Sequence, residues 1–286
     1  MVDLTRHVAI VTGASTGIGR ETARGLATLG ATVVIMSKDK GRADAAVADI
    51  RTSSGNERVS GMLGDLASIQ DTRRLAAEFT ASHDRLDILV NNAGIIPGER
   101  TVTADGLETA FAINHLAPLH LTQLLLDTLT ASAPSRVVMM VSATAQRGDL
   151  DDLQSEKTYN GWSCYRHSKF ASLLSLSEMA RRIEGSGVTI NGVYPGVTDT
   201  PSTRGMTGFM KVMMRLSRFM LKKPAEAALG PIWLATDPEL ATSNGKLYEY
   251  KKPLSKVPEG WDDPADAQAV WAASERLIGQ APGARS

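Results

Sequence analysis

The chain has 286 residues and 43% hydrophobic content, enough for a full core, and its 31 acidic and 31 basic residues cancel, so no net field draws it to nucleic acid or to an anionic surface. A single cysteine, Cys164, excludes an intramolecular disulfide framework and fits a reducing compartment. Residues 1–7 are too few and too polar for a signal peptide, and no run approaches the roughly 20 apolar residues of a membrane span, which reads as a soluble cytoplasmic protein with no transmembrane segment.

Residues 8–11 are a short apolar run suited to a buried parallel strand, and TGASTGIG at 12–19 follows at once. A helix is expected from near Ile18. Gly13, Gly17 and Gly19, with Ser15, Thr16 and Ile18 among them, permit a tight turn and close backbone approach, and the helix start offers free N–H groups to a pyrophosphate. The apolar run at 31–36 completes a βαβ unit, which points to dinucleotide binding rather than a plain loop.

The G-x-x-x-G-x-G spacing differs from the common dinucleotide fingerprint and resembles that of the short-chain dehydrogenases and reductases. Ser37, Lys38 and Asp39 follow the second strand, where such folds separate a ribose hydroxyl from a ribose phosphate. Aligning strand ends with that family puts Ser37 in the place of an acid and Lys38 where NADP-using members carry a cation, which favours NADP(H). Asp39 lies about 20 residues past the last glycine, so a register shifted onto it makes the cofactor NAD; otherwise the three residues are a polar turn.

Helical sequence at 41–51 leads to a strand at 58–63 and then to Gly64-Asp65-Leu66. Asp65 resembles the family's strand-end acid, which contacts the adenine ring, and on that resemblance Asp65 and Leu66 are assigned to the cofactor. It is alternatively a cap for the helix beginning near Ser68. Residues 86–90 form an apolar strand that runs into Asn91-Asn92-Ala93-Gly94. In the resembling family this motif stabilises the central sheet and lines the adenosine ribose, implicating Asn92, Ala93 and Gly94.

Residues 105–120 read as helical, with Leu107, Ala110, Phe111 and Asn114 near one stripe. Asn114 matches the family's catalytic asparagine, buried at a helix kink that holds a proton-relay water. A very apolar helix is expected at 116–129 and a buried strand at 137–141. Ser142 stands at that strand's C-terminal end, where ligands bind in open α/β sheets; it is a cap, or, from its place ahead of Tyr165, the substrate-binding serine.

A helix from 163 onward puts Tyr165 and Lys169 on one face. A tyrosine with a pKa of about 10 is a poor base at neutral pH, and an adjacent ammonium favours its ionised form. The interval from Ser142 to Tyr165 is longer than is usual in the short-chain family. Its DLQSEKTYNGWSCYRHSK, at 152–169, resembles the retinol-dehydrogenase-like members, whereas Leu116-Ala117-Pro118-Leu119 replaces their usual LGHF and loosens the substrate analogy. His7, His83, His115, His120 and His167 give no metal-ligand spacing, so no metal is assigned.

A strand at 188–193 precedes Pro195-Gly196-Val197-Thr198-Asp199-Thr200, which resembles the family's nicotinamide-side loop. The resemblance places Pro195 and Gly196 beside the cofactor, Val197 and Thr198 at the carboxamide, and Thr200 at the phosphates. Residues 203–223 alternate apolar Phe209, Met213 and Leu216 with basic Lys211, Arg215 and Arg218; they read as a substrate lid, a core-packing helix or a membrane-surface helix. A helix at 225–235, a last strand at 246–250, a Pro- and Lys-rich connector at 251–260 and a helix at 265–278 close the chain. The C-terminal extension, 251–286, is also similar to the ends of light-dependent protochlorophyllide reductases.

The alternation predicts one doubly wound α/β domain over 1–286, a Rossmann fold of about seven parallel strands with helices on both faces. The resemblance implies hydride transfer between NADP(H) and the carbonyl or alcohol carbon of an apolar small molecule. Tyr165 is then the acid/base, Ser142 steadies the substrate oxygen, Lys169 binds the nicotinamide ribose and lowers the tyrosine pKa, and Asn114 holds the relay water. A light-dependent protochlorophyllide-reductase-like enzyme and a catalytically silent dinucleotide-binding regulator are the alternatives. No nucleic-acid partner is expected, while peripheral membrane contact and a homo-oligomer stay open.

Overall fold

Seven strands pair in parallel: β1 (Val8–Thr12), β2 (Thr32–Ser37), β3 (Val59–Leu63), β4 (Ile88–Asn91), β5 (Ser135–Met140), β6 (Val188–Tyr194) and β7 (Leu247–Glu249). Their spatial order is β3-β2-β1-β4-β5-β6-β7, with β8 (Lys252–Pro253) added antiparallel at the β7 edge. A computed structural model describes residues 2–198 and 222–281 of the chain. Thr200 and all of the 203–223 stretch except Lys222 and Lys223 therefore lie outside the described residues.

The chain builds β1, β2 and β3 outward in one direction and then returns to place β4 on the other side of β1. That reversal opens a crevice at the strand C-termini, the switch point at which doubly wound sheets bind ligands. Helices cover both faces, which is why the strands read as continuous apolar runs. In β1, Ala9 and Val11 pack with Leu26 of α1 (Gly17–Thr28) and Ile50 of α2 (Lys40–Ser54). Val8 and Ile10 face the opposite layer, with Phe79 of α3 (Ile69–Ser82) and Phe170 of α7 (Gly161–Arg182).

The segment expected as helical over 105–120 starts later, and the kink expected at Asn114 takes the form of a π-turn. Residues 101–108 turn back on themselves through a Val102–Glu108 bridge and Gly106 at φ +78°. The buried Glu108 carboxylate then accepts from the Phe111 N–H at 2.6 Å, opening α4 (Thr109–Phe111). A π-helix at Ala112–Leu116 follows, and then α5 (Ala117–Leu124) and α6 (Leu126–Ala131). Across the π-turn the Ala117 N–H reaches back five residues to the Ala112 carbonyl, and Pro118 has no N–H to give the carbonyl of Asn114.

α8 (Pro224–Thr236) lies against α1, and α9 (Pro264–Gln280) lies along α7. β8 was not expected: 251–260 reads as a connector, but Lys251 at φ +61° turns the chain so that Glu249 pairs with Lys252 and Tyr248 with Pro253. At the opposite edge, Arg51 donates to the Val59 carbonyl from Nε at 2.9 Å and Nη2 at 2.7 Å, and Arg74 Nη2 donates to the Leu63 carbonyl at 2.7 Å. Among the described residues no helix is long and apolar enough to cross a membrane.

Candidate active site

A cavity of about 720 Å³ occupies the switch point, and sixteen of the positions assigned from sequence line it: Gly13, Ser15, Thr16, Gly17, Ile18, Gly19, Ser37, Lys38, Asp65, Leu66, Asn92, Ala93, Gly94, Tyr165, Lys169 and Pro195. Gly196, Val197 and Thr198 follow Pro195 but stand outside that lining, as do Asn114 and Ser142. Sequence reasoning passed over Ile95, Ile96, Ile113, Met140, Val141 and Arg42, which also line it. The first five extend runs already singled out, and Arg42 lies four residues past Lys38, in the first turn of α2.

The floor of the cavity is a cradle that a side chain would fill. Gly13 adopts φ +63°, and a Cβ there would meet the Ala93 Cα at 3.0 Å. A Cβ on Gly19 would stand 2.7 Å from the Gly13 carbonyl oxygen and would overlap the Asn92 amide. Asn92 locks this arrangement: its Nδ2 donates to Thr12 O at 2.8 Å and its backbone N–H to Thr12 Oγ1 at 2.9 Å. The start of α1 faces the same space, so the residues present fit a dinucleotide pyrophosphate held by backbone N–H groups.

At the β2 end of the cavity two cations and two carboxylates meet. Lys38 Nζ lies 3.5 Å from Asp65, and Arg42 Nε lies 3.1 Å from Asp39, with the Lys38 and Arg42 side chains more than half exposed. Asp39 is the N-cap of α2, accepting from the Arg42 N–H at 2.9 Å. The capping role weighed for Asp65 is overturned, since Ser68 caps α3; Asp65 instead accepts from the Ala67 N–H at 3.0 Å in a tight turn.

At the far end, Asn160 caps α7 by accepting from the Ser163 N–H, starting the helix two residues before the expected 163 and carrying Tyr165 and Lys169 on one face. Lys169 is buried and donates from Nζ to Met140 O at 2.9 Å; burial pushes its pKa down to about 8. Burial also raises the Tyr165 phenol above its ordinary value, and the Ser142 hydroxyl, hydrogen-bonded to Thr144 Oγ1 at 2.9 Å, pulls the other way. The sequence reading expected the neighbouring ammonium to lower that pKa; burial is the largest influence on it here. Trp162 stacks on Tyr165 with ring centroids 5.4 Å apart.

Asn114 sits inside the π-helix, its Oδ1 accepting from the Ile95 N–H at 2.8 Å and its Nδ2 donating to Ile95 O and to Ser168 Oγ, each at 3.0 Å. A Cβ on Gly94 would touch both Asn114 Oδ1 and Lys169 Nζ, so glycine there lets the strand end pass between them. Cys164, beside Tyr165 in sequence, is buried, and burial with the adjacent Glu108 pushes its thiol up to about 12. It is no nucleophile at neutral pH.

Two buried histidines on the same helical segment carry a pH signature. Burial lowers His115 to about 3 and His120 to about 4 from an ordinary 6.5. The unfolded chain takes up protons that the native state refuses, so stability is full above pH 6.5 and is lost as pH falls below it. Between pH 7 and pH 5 the unfolding free energy is expected to drop by about 2 kcal/mol per histidine. Urea midpoints at the two values measure this, and His115→Gln should remove one histidine's share; equal midpoints in the parent protein would exclude it.

The family model described as short chain dehydrogenase matches residues 7–210. Human retinol dehydrogenase 13 is 39% identical over 285 residues, covering 96% of this chain and 86% of that protein. The crystal structure of an uncharacterised protein from Mycobacterium paratuberculosis is similar with a TM-score of 0.77 at 28% identity, covering 97% of this chain and 95% of that one. The Pseudomonas aeruginosa RhlG/NADP active-site complex is similar with a TM-score of 0.70 at 26% identity, covering 91% and 98%.

Proposed function

The chain belongs to the short-chain dehydrogenase family, in its retinol-dehydrogenase-like branch, and from that premise we propose that it transfers a hydride between NADP(H) and the carbonyl or alcohol carbon of an apolar small molecule. One observation carries the proposal: a single cavity joins the glycine cradle and the Lys38–Arg42 pair at one end to Tyr165 and Lys169 at the other. The dinucleotide, when bound, supplies or accepts the hydride; the chain's own residues do the rest.

Gly13, Gly17 and Gly19 admit the pyrophosphate to the start of α1, and Asp65, Leu66 and the Asn92–Gly94 turn flank the adenosine. Lys38 and Arg42 meet a 2′-phosphate. Support for NADP over NAD comes from Asp39, whose carboxylate is already engaged by the α2 amide and by Arg42, and from the NADP complex of the similar RhlG. Lys169 holds the nicotinamide ribose, with Pro195 to Thr198 on the nicotinamide side.

In reduction, Tyr165 gives its proton to the substrate oxygen while the Ser142 hydroxyl steadies that oxygen; in oxidation the proton returns. Lys169 favours the phenolate that forms. The Asn114 carbonyl, which Pro118 cannot serve with an N–H, is the group that would hold a water passing protons on from Lys169. Ile95, Ile96, Ile113 and Val141 give the cavity an apolar lining beside Tyr165, which suits a hydrophobic carbonyl such as retinal.

The purified protein should consume NADPH in the dark with nonanal or all-trans-retinal, followed by the fall in nicotinamide absorbance. NADPH should bind more tightly than NADH by about tenfold or more, the worth of one charge-assisted contact of roughly 1.5 to 3 kcal/mol. In Lys38→Ala/Arg42→Ala the two cofactors should bind alike. Equal affinities in the parent protein would assign Asp39 to the ribose hydroxyls and the cofactor to NAD.

A further inference from the structure

We propose that Ser274, on the C-terminal helix α9, is a positioning residue for Asn114, acting through His115. His115 follows Asn114 within the π-helix, and its Nε2 lies 2.7 Å from Ser274 Oγ. Both side chains are buried, at 1% and 0% exposure. The direction of the bond follows from counting hydrogens. Ser274 has one hydroxyl proton, donated to the Val270 carbonyl at 2.7 Å, so it accepts from His115. His115 is then the neutral Nε2–H tautomer.

This link pins the wide turn from behind. On the active-site side the Asn114 amide is tied to Ile95 and Ser168; on the other side His115 is tied to α9 and lies against Phe111, ring centroids 4.8 Å apart. α9 is itself fixed in place. Trp271 lies under the Arg182 guanidinium of α7 at 4.3 Å, and Asp266 pairs with Arg147 at 2.8 Å. The stretch matched by the family model ends at residue 210, so the support for a residue of the common site comes from a helix beyond that stretch.

A single π-turn in an α-helix depends on tertiary contacts, because an ordinary turn is its ready alternative. Removing the Ser274 acceptor leaves a buried N–H of His115 without a partner, and the turn relieves this by rotating His115 outward. That rotation carries Asn114 away from Ile95 and Ser168. The inference rests on the role given to Asn114 above, and the test separates the two.

With nonanal and NADPH as probes, Ser274→Ala is expected to lose about tenfold in kcat, the size of one lost hydrogen bond, with KM and NADPH affinity unchanged. Ser274→Thr, which keeps the hydroxyl, should recover most of the rate. Asn114→Ala, assayed beside it, should be impaired in the same parameter. A Ser274→Ala protein that melts earlier but turns over at the parental kcat, next to an impaired Asn114→Ala, overturns the link alone. An unimpaired Asn114→Ala overturns the link together with the reading of Asn114. If Ser274→Ala does not fold, imidazole ¹⁵N spectra of the parent protein decide: an Nε2–H neutral ring supports the link, and an Nδ1–H or charged ring overturns it.

Discussion

Tyr165→Phe should lower kcat for carbonyl reduction by about 10² to 10⁴-fold, the usual contribution of a placed acid/base group, while NADPH binding changes little. The ring of phenylalanine keeps the stack on Trp162, so the loss reports the missing hydroxyl rather than a displaced helix. Steady-state NADPH consumption and cofactor titration by calorimetry give the two quantities. The pH dependence follows from the environment of the pair. Burial raises the phenol, so at neutral pH it is held protonated and ready to donate. Reduction should therefore run undiminished at neutral pH and fall as Lys169 deprotonates near its lowered value of about 8. A Tyr165→Phe protein with near-parental turnover would end the mechanism proposed for this site.

Gly19→Ala should weaken dinucleotide binding without abolishing the fold. The added Cβ would stand 2.7 Å from the Gly13 carbonyl and 3.0 Å from the Ala14 Cα, both backbone atoms, and would overlap the Asn92 amide. Relief requires moving the turn that cradles the pyrophosphate or breaking the Asn92–Thr12 hydrogen bonds that join β4 to β1. Overpacking of this kind costs roughly 1 to 3 kcal/mol, and here it falls on the binding surface, so NADPH affinity should drop at least about tenfold. Gly279→Ala is the control, since Gly279 lies in α9 with nothing within 4 Å of its added Cβ. NADPH titration by fluorescence compares them; unchanged affinity in Gly19→Ala would move the pyrophosphate elsewhere.

The parallel strands were legible because burial on both faces leaves them as apolar runs between turn residues, and the cradle was legible because its glycines are spaced along the chain. Tyr165 and Lys169 share a helix, so their spacing alone brings them together. What the sequence hid was the contact made across distance. The 105–120 helix was started too early because hydrophobic periodicity is blind to the Val102–Glu108 bridge, while its kink at Asn114 was legible only through the family resemblance. Asp65 was weighed as a cap because Ser68, three residues on, offers the same chemistry, and only the hydrogen bond to Asp71 N decides between them. Arg42 was passed over because a basic residue in a polar helix start gives no periodic signal. The burial that raises the phenol was not legible because spacing carries charge but not solvent exclusion.

The two rims of the sheet have a consequence for how copies of this protein meet. An uncovered strand is a template for a strand of another molecule, and exposed pairing groups there invite aggregation. At β3 the outward carbonyls of Val59 and Leu63 are filled by the guanidinium groups of Arg51 and Arg74. The opposite rim ends in β8, two residues long, whose Pro253 has no N–H to offer. Among the described residues, both rims are thus partly blunted against strand addition, by guanidinium groups at one and an imino residue at the other, and these residues lie outside the site.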